Sequence, residues 1–288
     1  MRNVDRNSIT DAVKNTFNCK DERTGYLLER LVDHIHDYAR EVNLTHAEGR
    51  KVIELLTKAG EITDDERNEF VLFSDIFGLS SLVDIINSPP GGTESSVLGP
   101  FHILGAPEVP VGGDLKKDNE GDTSIVSGVV ADMQGNPISG AVLEIWQTAD
   151  NGLYSNQDAN QERFNLRARQ TTGADGRYGF TTVRPAPYTV PDDGPAGEFL
   201  EATGRHPWRP SHLHFIVMAD GFQTLVTELF PEDDPYLDED AVFGVRETLI
   251  LKYRKHDDLA ELPAGLAAAD KITVPFYSVD FDFTLVAT

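Results

Sequence analysis

The 288-residue sequence predicts an α+β protein: a helical N-terminal region, residues 1–95, followed by an all-β region, residues 96–288. Three observations predict it. Apolar residues recur at intervals of three and four up to about Asn87. The stretch "SPPGG", Ser88–Gly92, then ends the helical pattern, because two prolines followed by two glycines cannot continue a helix. Beyond it the hydrophobic period falls to two, the spacing of side chains along one face of a strand.

In the helical part, Leu27, Leu28, Leu31, Ile35 and Tyr38 form one apolar stripe. "THAE", Thr45–Glu48, reads as a capping box opening a helix that carries Val52, Leu55 and Leu56 and stops at Gly60. "TDDE", Thr63–Glu66, reads as a second box, opening one helix over "RNEFVLFSDIFGLSSLVDIIN". So many apolar faces on a small region imply packing on a partner subunit as well as on the β region. In the second part, "TSIVSGVVAD", "AVLEIWQTAD", "GRYGFTTV", "HLHFIVMAD", "TLVTELF" and "VDFDFTLVAT" read as strands separated by Gly, Pro and Asp turns. Many short strands imply a sandwich or barrel.

Composition narrows the function. With 25 basic and 48 acidic residues the net charge is −23, which argues against nucleic acid or anionic lipid as partner. The single cysteine, Cys19, rules out an internal disulfide framework. The N-terminus lacks the charged start and apolar run of a signal peptide, and no stretch is long enough to span a membrane. The expected location is the cytoplasm.

Within "RHPWRPSHLHF", His212 and His214 fall two apart in a strand pattern and so share a face, a spacing that suits two ligands of one metal ion. His206 sits in a proline-flanked loop and reads as a bystander. Zinc would call for further Cys or His ligands, and a cupin-like site for a downstream Glu, where "FIVMADG" offers only Asp220. Tyr154 in "ADNGLYSNQD" and Tyr188 in "RPAPYTVP" lie in loop-like segments and are the preferred remaining ligands. A phenol titrating near ~10 ionises at neutral pH only beside a strong cation, as a ferric ion would be. Tyr178 in "DGRYGF" reads instead as a structural strand residue.

Taken together, "TESSVLGPF", "EIWQTADNGLYS", "ARQTTGADGRYGFTTVRPAPYTVPDDGPAG", "HPWRPSHLHF" and "GFQTLVTELFPEDDPYLDEDAVFGV" resemble the intradiol ring-cleaving dioxygenases of the catechol 1,2-dioxygenase type. The hydroxyquinol-cleaving members are the most similar group, and the likeness covers nearly the whole chain. The resemblance implies an N-terminal helical dimerisation domain and an antiparallel β-sandwich catalytic domain. It implies one Fe(3+) per subunit, held by Tyr154, Tyr188, His212 and His214. Arg209 and Tyr188 are implied as catalytic, with Tyr188 as the proton acceptor. A substrate pocket is implied at Leu72, Asp75, Val97, Leu98, Gly99, Pro100, Phe101, Val190, Pro191, Arg209 and Glu228. The implied reaction opens an aromatic diol with O2: hydroxyquinol to maleylacetate, or a catechol or chlorocatechol to a muconate. A homodimer with a phospholipid between its helical domains is also implied. Two positions depart from the common pattern: Glu228 stands where Gln is frequent, and His102 where Tyr is frequent.

Overall fold

A computed structural model describes residues 3–64, 67–265 and 271–288. The chain divides into two compact units, Met1–Glu61 and Ile62–Thr288. The first unit holds α1 (Ile9–Lys14), α2 (Glu22–Glu41) and most of α3 (His46–Ile62). Asp21 caps α2 by accepting from the Thr24 amide. The expected capping box at α3 is present: Thr45 N–H donates to Glu48 Oε2 at 2.8 Å, and the Glu48 amide donates back to Thr45 Oγ1 at 3.3 Å. Gly60 does not stop this helix, which runs on to Ile62. Helix α2 buries none of its residues, and Leu27, Leu31, Ile35 and Tyr38 are exposed.

The second unit begins with α4 (Glu69–Ile76) and α5 (Leu79–Asn87). The expected boundary at residue 95 therefore differs from the division seen, which groups these two helices with the strands. Of the second capping box, Asp65 and Glu66 lie outside the described residues; the helix that follows is capped by Asn68. The single helix expected there is broken at Phe77–Gly78, where Gly78 takes a left-handed conformation at φ +71°.

Among the described residues thirteen strands follow: β1 (Gly113–Asp114), β2 (Thr123–Asp132), β3 (Val142–Gln147), β4 (Arg167–Thr171), β5 (Arg177–Val183), β6 (Tyr188–Thr189), β7 (Trp208–Arg209), β8 (Leu213–Met218), β9 (Leu225–Pro231), β10 (Ile250–Leu251), β11 (Arg254–His256), β12 (Phe276–Asp280) and β13 (Phe283–Leu285). One sheet runs β1-β5-β2-β12-β11, with β13 also on β2; the other runs β10-β9-β8-β3-β4. The long central ladders are antiparallel, as expected, but β1, β10, β12 and β13 each pair in parallel, so the sheets are mixed. Inward side chains of both sheets, among them Leu143, Ile145, Phe215, Val217, Val126, Phe180 and Phe283, fill one core. Tyr178 is buried there and its hydroxyl donates to Phe281 O at 2.7 Å, the structural role read for it. A helix that the strand pattern did not disclose, α6 (Pro195–Ala202), packs against α4. Buried Glu69 joins the two, its carboxylate accepting from the Ala196 amide in the first turn of α6 at 2.9 Å. Among the described residues no helix is long and apolar enough to cross a membrane.

Gly128 in β2 has no room for a side chain: a Cβ would lie 1.7 Å from Phe281 O. Gly128→Ala is expected to lower unfolding free energy by about 1–3 kcal/mol or more, measured by denaturant titration at unchanged m-value.

Candidate metal centre

Three buried donors converge. Tyr154 Oη is 3.1 Å from His212 Nε2 and 3.0 Å from His214 Nε2, and the two imidazole nitrogens are 3.0 Å apart. His212 comes just before β8 rather than within it, and His214 is the second residue of the strand. Tyr154 lies in the loop after β3, as expected, whereas Tyr188 belongs to the two-residue strand β6 and pairs with Arg209 of β7. The Tyr188 ring meets the Tyr154 ring edge-on at 5.4 Å and the His212 ring at 5.5 Å.

The donor chemistry fits a metal ion. His212 Nδ1–H donates to Pro210 O at 2.8 Å, which leaves Nε2 as a bare lone pair. Burial, then Arg209, lowers the pKa of His212; burial, then His212, lowers that of His214 further, so both rings are neutral. Burial likewise drives the Tyr154 and Tyr188 hydroxyls up. Three donor atoms, one phenol oxygen and two imidazole nitrogens, thus converge on one point, and separations near 3 Å match metal–donor bonds of about 2 Å.

Among the described residues, one group of His, Cys, Asp or Glu side chains has the spacing of a metal site: His212, His214 and Glu228. Glu228 is nevertheless engaged elsewhere. It accepts from Arg209 Nη1 at 2.8 Å, Arg209 Nη2 at 3.0 Å and Ser96 Oγ at 2.7 Å. Its nearest approach to His214 is to Nδ1, at 3.5 Å, on the edge of the ring away from Tyr154. Although burial opposes its charge, Arg209 keeps the Glu228 carboxyl below its usual range, so it is an ionised partner of that guanidinium.

Arg209 is 2% exposed and is shared by two carboxylates. Its Nε donates to Asp240 Oδ1 at 3.0 Å; its Nη1 lies 3.4 Å from Tyr188 Oη and 3.3 Å from His212 Nε2. Burial opposes this charge too, but Asp240 and Glu228 outweigh it and hold the pKa well above the ordinary value. Gly244 closes over the trio, and a Cβ there would come within 2.7 Å of both Arg209 Nη2 and Glu228 Oε2. Ser96, Asp240 and Gly244 escaped sequence reasoning, because only the fold brings them to Arg209.

Strand register sets the surroundings of His214. It pairs with Trp146 of β3 on one side and Glu228 of β9 on the other, and Trp146 pairs in turn with Arg167 of β4. The Trp146 indole stacks on the His214 ring at 4.6 Å and 6°. The His102 ring packs at a tilt against Trp146, 4.8 Å away and at 58°, with its Nε2 2.6 Å from Glu144 Oε2. His206 is remote from this constellation and pairs with Glu239 at 3.2 Å.

A cavity of about 620 Å³ is lined by Asp75, Val97, Leu98, Gly99 and Pro100, together with Ser80, Val83 and Asp84. Gly99, at φ +68°, links it to the metal centre: a Cβ there would lie 3.7 Å from His214 Nε2. Phe101 belongs instead to the aromatic cluster, 4.8 Å from the Tyr154 ring. Leu72, Val190 and Pro191 do not line this cavity; Leu72 and Val190 are buried. Burial pushes the Asp75 carboxyl up to about 6, and Asp84 also to about 6.

Residues 102–286 match the family described as Dioxygenase, and residues 21–92 match the family described as Catechol dioxygenase N terminus. The chain is 43% identical to the hydroxyquinol 1,2-dioxygenase of Rhizobium sp. (strain MTP-10005) over 98% of this chain and 95% of that protein. It is 43% identical to the 6-chlorohydroxyquinol 1,2-dioxygenase of Cupriavidus pinatubonensis (strain JMP 134 / LMG 1197), over 100% of each. The fold superposes on the crystal structure of the hydroxyquinol 1,2-dioxygenase from Pseudomonas putida DLL-E4 with a TM-score of 0.89 at 41% identity, covering 98% of this chain and 99% of that one.

His214→Ala is expected to weaken metal binding by more than about 100-fold, read from metal content after dialysis against a chelator. Asp75 binds its proton up to about pH 6 in the folded chain against an ordinary value of 3.8. Its stabilising protonated form is complete below about pH 4 and lost as pH rises through about 6. Asp75→Asn is therefore expected to stabilise the protein above pH 6, by up to about 3 kcal/mol, with the gain vanishing near pH 4 in unfolding titrations.

Proposed function

Because the chain belongs to the intradiol ring-cleavage dioxygenase family, we propose that it opens hydroxyquinol between its vicinal hydroxyls, adding both atoms of O2 and giving maleylacetate. The observation that carries this reading is the mutual approach of Tyr154 Oη, His212 Nε2 and His214 Nε2 to about 3 Å, beside a cavity that contains Asp75. Tyr154, Tyr188, His212 and His214 would hold one ferric ion per subunit. Bound there, that ion supplies Lewis-acid activation of the diol.

The residues divide the remaining work. As the phenolate it would be when it holds the ion, Tyr188, whose Oη is 3.4 Å from Arg209 Nη1, would take the proton that a substrate hydroxyl gives up. Arg209 is a fixed cation, locked by Glu228 and Asp240, that stabilises negative charge on the substrate oxygens. Its two carboxylate partners keep the guanidinium from swinging toward the ligand. Val97, Leu98, Gly99 and Pro100 offer an apolar wall for the flat ring. The Asp75 carboxylate accepts a hydrogen bond from the third ring hydroxyl, a group that catechol and chlorocatechol lack. Burial makes that contact selective, since an unmet buried carboxylate is costly.

The exposed apolar stripe of α2, with Leu27, Leu31, Ile35 and Tyr38, supports a homodimer formed through the N-terminal helices, with a phospholipid between two copies. The lone exposed Cys19 suits a reducing compartment, and we place the enzyme in the cytoplasm.

Oxygen uptake on hydroxyquinol, catechol and 4-chlorocatechol tests the substrate. Hydroxyquinol is expected to have the highest kcat/KM, and a tenfold preference for catechol would overturn the assignment. Asp75→Leu is expected to lower kcat/KM for hydroxyquinol by about 10–100-fold while leaving catechol turnover much less affected. Tyr154→Phe and Tyr188→Phe are expected to abolish cleavage and to alter the colour of the iron-loaded protein; two fully active variants would refute the ligand set.

A further inference from the structure

Arg167 is a buried cation that the reaction outlined above does not use. It opens β4, is 3% exposed, and lies in the same cross-sheet row as Trp146, His214 and Glu228. Its Nε donates to Ser155 Oγ at 2.8 Å and its Nη2 to Asn156 Oδ1 at 2.9 Å. Its Nη1 is buried with no hydrogen-bond partner. Among the described residues no carboxylate forms an ion pair with it. Its Cζ stands 5.8 Å over the ring of Tyr154.

A buried guanidinium surrounded only by neutral groups is costly, because an unpaired charge loses its hydration without compensation. Natural structures keep such a charge where an anion arrives to meet it. Here, among the described residues, the group beside it that becomes anionic is the Tyr154 phenol once it binds a metal. The other arginine of the site makes the contrast. Arg209, beside Tyr188, already has two carboxylate partners, Glu228 and Asp240. Arg167 is uncommitted and faces Tyr154.

Resting on the ferric tyrosinate reading above, we propose that Arg167 is a positioning residue: it is the charge partner of the Tyr154 phenolate in the metal-loaded site. Packed over the ring, it attracts the electron-rich face and draws charge away from the phenolate oxygen. Through Ser155 and Asn156, the two residues after Tyr154, it also holds the loop that carries the ligand. A cation in this position lowers the energy of the phenolate electrons; it favours retention of the metal by easing loss of the phenol proton, which competes with the ion, and by holding the ligand loop.

The test compares ferric-loaded native protein with Arg167→Met, Arg167→Gln and Arg167→Lys. Its readouts are the visible phenolate-to-iron absorption band and competition with a chelator for iron. Loss of the cation raises the energy of the phenolate donor electrons, so the band is expected to move to longer wavelength in the Met and Gln variants. Iron affinity in both is expected to fall by about 10–100-fold, and Lys, which keeps the charge, is expected to restore part of each change. Arg167→Gln retains hydrogen-bonding capacity toward Ser155 and Asn156, so it decides the question if the Met variant does not fold. A coloured native complex with an unshifted band and native iron affinity in the neutral variants would overturn this proposal alone. A native iron complex with no such band would overturn the tyrosinate reading and this proposal with it.

Discussion

The second unit is arranged around one convergence of donor atoms: two neutral imidazole nitrogens held 3.0 Å apart, with a phenol oxygen about equally close to both. The sandwich cannot relax this contact by moving one ring. His214 is clamped between Trp146 and Glu228 by strand register, and His212 is tied to Pro210 O. Rigid backbone on both sides holds the three atoms in place and so preorganises a site for a cation. Behind it, Phe180, Phe215 and Phe283 lock the two sheets together in the core.

Charge is distributed unevenly about that centre. On the Tyr188 side Arg209 meets two carboxylates, Glu228 and Asp240, and the trio is closed by Gly244 and Ser96. On the Tyr154 side Arg167 meets only neutral partners. A glutamate where Gln is frequent is thus absorbed by the fold as a salt bridge to Arg209, an interaction that a Gln amide would make without charge. His102, the other departure, is absorbed as well: paired with Glu144, it packs at a tilt against the Trp146 indole, which in turn stacks on His214. His102 lies behind the histidine pair, whereas Glu228 stands 3.3 Å from His212 Nε2 with its carboxylate held by Arg209 and Ser96.

The helices reach the site through α4. Glu69 ties this helix to the start of α6, and Arg205 donates to Ile76 O at its end. Asp75 is thereby held, buried, at the wall of the cavity that Gly99 links to His214. The break at Gly78 is what lets α5 turn back so that Ser81 donates to Phe243 O. A helix continuous from 67 to 87, as the apolar pattern suggested, would have carried Ser80 and Val83 away from that wall.

Local chemistry made much of this legible. The change of period at Ser88–Gly92, the capping box at Thr45–Glu48, the limits of β2 and the pairing of His212 with His214 all follow from interactions within a few residues. Such signals survive in the sequence because their partners are near in the chain. The break at Gly78, helix α6, the parallel pairing of β12 and β13 on β2, and the pairing of Tyr188 with Arg209 do not. Each depends on a partner tens of residues away, and a glycine or a short polar run reads the same whether or not that partner arrives. The sequence by itself determined which side chains are candidates for the chemistry: two imidazoles, two phenols, one arginine and one acid. Tertiary structure alone decided their electrostatic roles. Whether Glu228 is a ligand or a counter-ion, and whether an arginine is neutralised or left uncompensated, depends on distances of about 3 Å set by cross-strand register.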